Sequence, residues 1–220
     1  MDKIKKGIDL MQENKFEEAA VIFNEIIEEK PNDPVGYINF ANLLLHMKDY
    51  DRSIRFFERA IELNQSAATA HYGLGNVYFE TEDFVNARKS FQKAIDNGLD
   101  EADVFFMLAM SYQNEEHNKL SLPFFQRAYE FNGNDESIVF QYGLALAATN
   151  QIKEAKRKFL EVLEMNETHS DALYNLGVVF LYEENIDLAY EQFCKALDVQ
   201  PDHVLAGNGK KQIEILRESE

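Results

Sequence analysis

A strict sequence period constrains this chain more than any other feature. Phenylalanine recurs at one constant interval, which we call the repeat period, with no insertion or deletion between its six positions: Phe23, Phe57, Phe91, Phe125, Phe159 and Phe193. Small residues keep the same register in two further series, one ending at Gly177 and the other at Ala189. A fixed period of this length, about 34 residues, indicates stacked copies of one supersecondary unit, each of which buries its apolar side against its neighbours.

Each period contains two amphipathic helical patterns separated by a short polar turn. In the last period, Leu173, Leu176 and Phe180 are spaced for one helical face, and a second pattern runs from Ala189 to Phe193 after the turn "YEENID". A link of about five residues joins antiparallel helices. We therefore predict six helix hairpins, in which small residues let the backbones approach and phenylalanine fills the space beside them.

The pattern resembles the tetratricopeptide repeat (TPR), most closely in "YNLG", "YGLGNVY" and "AYEQFCKALDVQP". The resemblance covers about residues 1–203, and the overall plan is similar to a small bacterial protein made only of such repeats. It implies an all-α fold: a right-handed α-solenoid (superhelix) of six TPR helix hairpins plus a C-terminal cap helix, in a single domain over residues 1–220. The repeats are expected at about 1–33, 34–67, 68–101, 102–135, 136–169 and 170–203, and the cap helix at 204–217.

Three local expectations follow from turn and helix chemistry. A left-handed residue should close the second helix of a hairpin at one repeated position, occupied by Asn64, Gly98, Asn132 and Asn166. Pro123 should lie in the first turn of a helix that begins near Lys119, where its missing N–H costs little. The cap helix should solvate the end of the stack and be weakened at its start by Gly207 and Gly209.

Composition limits the partners and the compartment. The net charge of −17 argues against nucleic acid and against anionic membranes, since both require clustered Lys and Arg. The single cysteine, Cys194, permits no internal disulfide, and no apolar run approaches the length of a membrane span, so we expect a cytoplasmic protein. A monomer is the expected state.

No pattern for catalysis, a cofactor or a metal is present. The five histidines have no His or Cys partner at metal-ligand spacing. We interpret His71 as a core residue, because it replaces a bulky apolar residue, and we expect His117 and His169 in turns. The carboxylates fall on outer faces and in turns, where solvation is their expected role. An enzyme is therefore not expected.

The resemblance implies that the first helix of each hairpin lines the concave side of the superhelix. Helical spacing assigns three inward rows: Ile4, Ile38, Tyr72, Phe106, Phe140 and Tyr174; Ile8, Asn42, Asn76, Met110, Leu144 and Val178; Met11, Leu45, Phe79, Gln113, Ala147 and Leu181. Beside them run Lys5, Asn39, Gly73, Met107, Gln141 and Asn175. Only Lys5 among these 24 positions is charged, whereas the overall charged content of 28% would give about seven.

An apolar surface with a few amide groups suits a partner's extended peptide or helix. We therefore predict a non-catalytic interaction scaffold that binds a protein or peptide partner in this groove. The predicted binding residues are Tyr72, Asn76, Phe106, Met110, Phe140, Gln141, Leu144, Tyr174, Asn175, Val178, Asn39 and Asn42. Some TPR domains clamp a partner's C-terminal carboxylate with Lys or Arg beside two Asn. The cations are absent next to the asparagines here, so that clamp is not expected.

Two alternatives remain. The acidic convex face could dock a basic protein through Glu17, Glu18, Glu25, Glu28 and Glu29. The chain could also self-associate through the ends of the solenoid.

Overall fold

The computed structural model describes residues 3–218, which form thirteen α-helices and no β-strand. The helices are α1 Lys3–Gln12, α2 Phe16–Glu29, α3 Pro34–His46, α4 Tyr50–Leu63, α5 Ala68–Glu80, α6 Phe84–Asp96, α7 Ala102–Asn114, α8 Asn118–Phe131, α9 Glu136–Ala148, α10 Ile152–Met165, α11 Ser170–Tyr182, α12 Ile186–Val199 and α13 Val204–Glu218. The predicted all-α fold of TPR hairpins is confirmed.

The chain forms two compact units, Met1–His117 and Asn118–Glu220. The first unit contains the hairpins α1/α2, α3/α4 and α5/α6, followed by α7. The second contains α8, the hairpins α9/α10 and α11/α12, and α13. The expectations of one domain and of a right-handed superhelical course stay predictions.

The repeated phenylalanines form the centre of the packing in each unit. All six are at most 1% exposed. A Cβ atom added to Gly75 would lie 2.6 Å from the Cε1 atom of Phe91, and one added to Gly177 would lie 2.6 Å from the Cε1 atom of Phe193. Real side chains do not pack at such distances, so these positions require the small residues that the sequence predicts.

Side chains at the helix starts explain why the helices begin where they do. At five helix starts, a side-chain oxygen of the N-cap residue accepts a hydrogen bond from a backbone N–H group of the first turn. These N-cap residues are Asp33, Asp49, Asp83, Asp135 and Asn185. Each cap satisfies a donor that has no acceptor within the helix, which typically stabilises a helix by about 1 kcal/mol.

The left-handed residues lie in a different turn from the predicted one. Among the residues described, six non-glycine residues have positive φ, each one repeat period after the last, in the turn after the first helix of a period: Asn14, Lys48, Glu82, Glu116, Asn150 and Glu184. Of the four predicted positions only Gly98 is left-handed, with a φ of 94°. Asn64 and Asn166 are extended, with φ values of −146° and −144°. Their side-chain oxygens accept the backbone N–H groups of Ser66 and Thr168 and form the turn instead.

The predicted start of the helix near Lys119 agrees with the structure, but the placement of Pro123 in its first turn was wrong. Helix α8 begins at Asn118, which makes Pro123 its sixth residue. Only the first four N–H groups of a helix lack an acceptor, so this proline removes a hydrogen bond that the carbonyl of Lys119 would otherwise accept.

Gly209 has a packing role that the sequence did not reveal. A Cβ atom on Gly209 would lie 2.7 Å from the Cε2 atom of Phe193, whereas one on Gly207 would meet nothing closer than Leu197 Cδ2 at 3.9 Å. Because the ring of Phe193 lies between Gly177 and Gly209, packing favours glycine at position 209 and places no such restriction on position 207.

Candidate protein-binding face

The twelve predicted binding residues lie on first helices of the repeats, which we call A helices (α1, α3, α5, α7, α9 and α11). The side that carries the three predicted rows is the A-helix face. The first unit holds Asn39, Asn42, Tyr72, Asn76, Phe106 and Met110, and the second holds Phe140, Gln141, Leu144, Tyr174, Asn175 and Val178. Eleven of the twelve are half-buried and Val178 is exposed. That all twelve line one groove stays a prediction.

The aromatic row is partly used for packing within each unit. The ring centroids of Tyr72 and Phe91 are 5.7 Å apart, and those of Tyr174 and Phe193 are 5.8 Å apart. Phe140 lies 6.0 Å from Phe159 in the same way. These are favourable aromatic distances, so the row is held rigidly against the buried phenylalanines and offers a partner only part of each ring.

Two histidines support the aromatic row, each placed just before the next helix of the face along the chain. His169 lies 4.6 Å from Phe140 and His203 lies 5.2 Å from Tyr174, measured between ring centroids. In both cases Nδ1 accepts a backbone N–H at the start of the following helix, at 3.2 Å. The neutral imidazole therefore carries its proton on Nε2, which in His203 donates to Asp171 at 3.2 Å.

The support by these histidines was not predicted, since His169 was expected only in a turn and His203 was given no role. They lie one repeat period apart, which is the signal that could have identified them as a repeated device. The interpretation of His71 as a core residue is confirmed, since it is buried and its Nε2 lies 3.0 Å from the carbonyl oxygen of Gln65.

The amide groups divide into two kinds. Asn39 and Asn175 donate their side-chain N–H to the carbonyl one turn earlier, at 2.8 Å in each case. Among the described residues, no donor reaches the side-chain oxygen of either asparagine, and Asn42 and Gln141 make no side-chain hydrogen bond. An amide of this kind can accept from a partner's backbone N–H, and those of Asn42 and Gln141 can also donate to a carbonyl.

Asn76 is tied to the neighbouring aromatic residue. Burial raises the pKa of Tyr72 above its ordinary value, the hydrogen bond with Asn76 opposes this shift, and the carboxylates of Asp103 and Glu101 reinforce it. The phenol therefore stays neutral at physiological pH and serves as a hydrogen-bonding group on the A-helix face.

Two further rows on the A helices are more exposed than the predicted ones. They are Val35, Thr69, Asp103, Ser137 and Asp171, and His46, Glu80, Asn114, Ala148 and Tyr182. Three of these ten residues are carboxylates, so the A helices expose more negative charge than the predicted rows suggest. The predicted rows do not include these positions, because the rows were counted from the buried stripe and stop short of the most exposed edge of each helix.

In the first unit, a pocket of about 360 Å³ opens among α3, α5 and α7. It is lined by Leu45, His46, Lys48, Tyr50, Asn76, Glu80 and Met107. The pocket brings the predicted residue Asn76 together with apolar groups from both neighbouring A helices, a combination typical of peptide-binding surfaces.

No group of three or more His, Cys, Asp or Glu side chains within residues 3–218 could hold a metal ion. None of the helices described is both long enough and apolar enough to cross a membrane.

The acidic face proposed as an alternative is partly neutralised. Lys3 on α1 contacts Glu25 at 3.0 Å and Glu29 at 2.6 Å, so two of the five glutamates on α2 already have a cationic partner. Glu17, Glu18 and Glu28 are exposed.

These features define a helical-repeat protein of the protein-binding class: the helix hairpins, the repeated buried phenylalanines and the A helices that carry amide side chains. The family model for the tetratricopeptide repeat matches residues 38–103 and 141–204. The chain therefore belongs to the tetratricopeptide repeat family.

Solved structures agree with this assignment. The chain is similar to YrrB, described as a TPR protein with an unusual peptide-binding site, with 44% identity over 86% of this chain and 97% of YrrB and a TM-score of 0.83. The fold is also similar to that of pilF from Pseudomonas aeruginosa (14% identity over 96% of each chain, TM-score 0.82). It is similar as well to that of MamA, at 17% identity over 76% of this chain and 92% of MamA, with a TM-score of 0.71. No curated protein matches the chain.

Proposed function

We propose that this protein is a monomeric, non-catalytic scaffold of the bacterial cytoplasm that binds an extended or helical segment of a partner protein on its A-helix face. The observation that carries the proposal is the combination on these helices of partly exposed apolar side chains with amides whose hydrogen-bonding groups are not used internally, as at Asn42 and Gln141. The peptide-binding site described for YrrB, at 44% identity, supports it.

Recognition would combine two contributions. Leu144 and Met110 supply apolar area. Full burial of an exposed side chain of this size contributes about 1.5–3 kcal/mol, and each of these half-buried residues can contribute part of that amount. The amides pair with the partner's backbone whatever its side chains are, which fixes orientation more than it adds affinity.

A selection experiment tests the proposal and does not require an identified partner. Random 16-residue peptides are displayed and selected on the full chain, and the affinities of the selected peptides are measured by fluorescence anisotropy. Leu144→Glu and Met110→Glu should each weaken binding about tenfold or more. Asn42→Ala serves as a milder variant that removes an amide with little effect on packing.

Matched controls lie on the second helices. Leu160→Glu on α10 and Val85→Glu on α6 change exposed apolar residues in the same way away from the A-helix face, and should leave affinity unchanged. Circular dichroism verifies that each variant is folded. Selected peptides that respond to the control variants and not to the A-helix variants would refute the proposal, as would a selection that yields no binding peptide.

A further inference from the structure

A group of exposed apolar residues lies at the C-terminal end of the second unit. Val178, Leu181 and Tyr182 on α11 and Leu205 and Ile215 on α13 are between 38% and 63% exposed. We call these five residues the C-terminal apolar patch. Single exposed apolar residues are common on protein surfaces, but a contiguous group of large ones marks an interaction site.

The repeat register makes the five residues one surface. Leu205 lies one repeat period after Asp171 on the exposed edge of the A helices, and Ile215 lies one period after Leu181 in the third predicted row. The hydrogen bond between His203 and Asp171 and the ring contact between His203 and Tyr174 join the start of α13 to α11. Helix α13 therefore continues the A-helix face by one further helix.

The distribution of polar residues around α13 supports this reading. At three positions that are buried or half-buried in α11, α13 carries Lys210, Lys211 and Glu214. These replace Leu176, Gly177 and Phe180 of the preceding repeat. Lys210 and Glu214 face α12, where Glu214 accepts a hydrogen bond from the Tyr190 hydroxyl at 2.9 Å and Lys210 lies over the same ring. Lys211 stands in place of the buried Gly177 and is exposed, so a charged residue ends the stack there, whereas Leu205 and Ile215 are exposed elsewhere on α13. The expectation that α13 only solvates the end of the stack therefore holds for part of its surface.

The patch suits a helix better than an extended strand. Its one polar side-chain group, the hydroxyl of Tyr182, donates to Asn150 at 3.2 Å. An extended segment would leave its backbone N–H and C=O groups without partners on such a surface, whereas a helix satisfies them internally. Neighbouring packed helices are spaced about 8–10 Å apart. The apolar stripe of a bound helix could therefore contact the patch residues of α11 on one side and those of α13 on the other.

The charged residues near the patch bear on which charges should flank the apolar stripe of a partner helix. Asp171, Glu184 and Glu218 lie beside it and are exposed. The nearby Arg217 is engaged by Asp187 at 2.5 Å and lies over the ring of Tyr190. Lys153, which lines a pocket together with Tyr182, and Lys210 and Lys211 on α13 offset part of this local charge. The preference for a partner whose apolar stripe is flanked by Lys or Arg therefore follows mainly from the net charge of −17 over the whole chain. The same net charge disfavours a second copy of this chain, because a two-fold contact would bring the same acidic flanks together.

We propose that the C-terminal apolar patch is a docking site for a basic amphipathic helix of a different protein. This inference rests on the proposed function and deepens it: it adds α13 to the binding face and specifies the chemistry of the partner.

Two synthetic 18-residue helical peptides test the proposal. They share one leucine stripe at i, i+3, i+4 and i+7, and all other positions are Lys in one peptide and Glu in the other. The Lys peptide should bind the full chain at least tenfold more tightly than the Glu peptide, and its affinity should fall at 0.5 M salt because exposed charges are screened. The double variant Leu205→Gln/Ile215→Gln should weaken the Lys peptide about tenfold or more.

Because an acidic protein attracts any basic peptide, a matched control is essential. Val21→Gln/Val85→Gln changes two similarly exposed residues on second helices and should leave the affinity unchanged. Equal loss in both double variants, or no loss in either, would overturn the proposal. So would a dimer in sedimentation velocity that Leu205→Gln/Ile215→Gln abolishes, since the occupant would then be a second copy.

The failure of this proposal can be separated from that of the proposed function. Peptides from the random selection that lose affinity with Leu144→Glu but not with Leu205→Gln/Ile215→Gln would leave the A-helix face as the binding site and remove the patch. Peptides that respond to neither would overturn both.

Discussion

The close contact of Phe193 with two glycines makes a quantitative prediction about stability. Ala is better than Gly by about 0.8–1 kcal/mol inside a helix, so Gly→Ala substitutions in α11 and α13 should stabilise wherever there is room. Gly207 has room, since an added Cβ meets only Leu197 Cδ2 at 3.9 Å. We expect Gly207→Ala to raise the unfolding free energy by about that amount.

Gly177→Ala and Gly209→Ala should behave differently. Their Cβ atoms would lie 2.6 Å and 2.7 Å from opposite edges of the Phe193 ring. Overpacking of a core costs about 1–3 kcal/mol, which offsets or exceeds the gain in helix propensity. Each single variant can still be relieved by a small shift of the ring toward the remaining glycine. The ring of Phe57 shows the same arrangement with an alanine on one side. It packs in one cluster with Ala41 of its own repeat, and it leaves no room for a Cβ atom on Gly73 of the next repeat.

The double variant Gly177→Ala/Gly209→Ala removes that relief. We expect it to be less stable than the sum of the single variants predicts, with a coupling energy of about 1–2 kcal/mol. Thermal unfolding followed by circular dichroism measures the series, at about 2–4 °C per kcal/mol for a chain of this size. Hydrogen exchange of α11–α13 localises the effect. Additivity within about 0.5 kcal/mol, which is usual for independent sites, would refute the reasoning, as would a Gly209→Ala variant as stable as Gly207→Ala.

Three further predictions concern single positions. Glu82→Gly should stabilise by about 1 kcal/mol, because Glu82 has a φ of 60° and a left-handed residue other than glycine is strained; the same change at the extended Asn64 should not stabilise in urea unfolding. Pro123→Ala should stabilise by up to about 3 kcal/mol by restoring the hydrogen bond to Lys119, and an unchanged unfolding midpoint would contradict this. Burial raises the pKa of Tyr142 in the folded chain, so the tyrosine ionises first in the unfolded chain and the free energy of unfolding falls as pH rises above about 10. Tyr142→Phe should make this fall shallower between about pH 9 and pH 11. An equal slope in both proteins would argue against the prediction.

The sequence predicted the hairpins well because buried packing restricts residue size at fixed positions. A position such as Gly177 leaves room only for a very small residue, and Phe193 fills the space that results, so the period is readable at every repeat. The left-handed turns were not predicted, because packing does not restrict residue type at those positions. Lys48, Glu82 and Glu184 adopt positive φ although neither Lys nor Glu favours it. Antiparallel packing of the two helices accounts for their conformation, and only Asn14 and Asn150 in the same series indicate it in the sequence.

The A-helix face was harder to predict because its residues have two roles. Tyr174 packs on Phe193 and His203 and still exposes part of its ring. Helical spacing indicates the direction of a side chain but cannot divide its surface between a neighbouring helix and the solvent. The most exposed rows, which include Asp171 and Tyr182, lie at the edge of the pattern and became evident only from the structure.

Helix α13 uses different residues to end the repeat stack and to continue the apolar part of the A-helix face. Lys211 stands where α11 has the buried Gly177, and an exposed charged residue there ends the repeat, while Lys210 and Glu214 contact Tyr190 of α12. Leu205 and Ile215 lie on another side of the same helix, so ending the stack does not require the A-helix face to become polar. Since the two sets share no position, substitution of the apolar pair should change binding and leave the stability of the stack intact, which is the property that makes the patch testable.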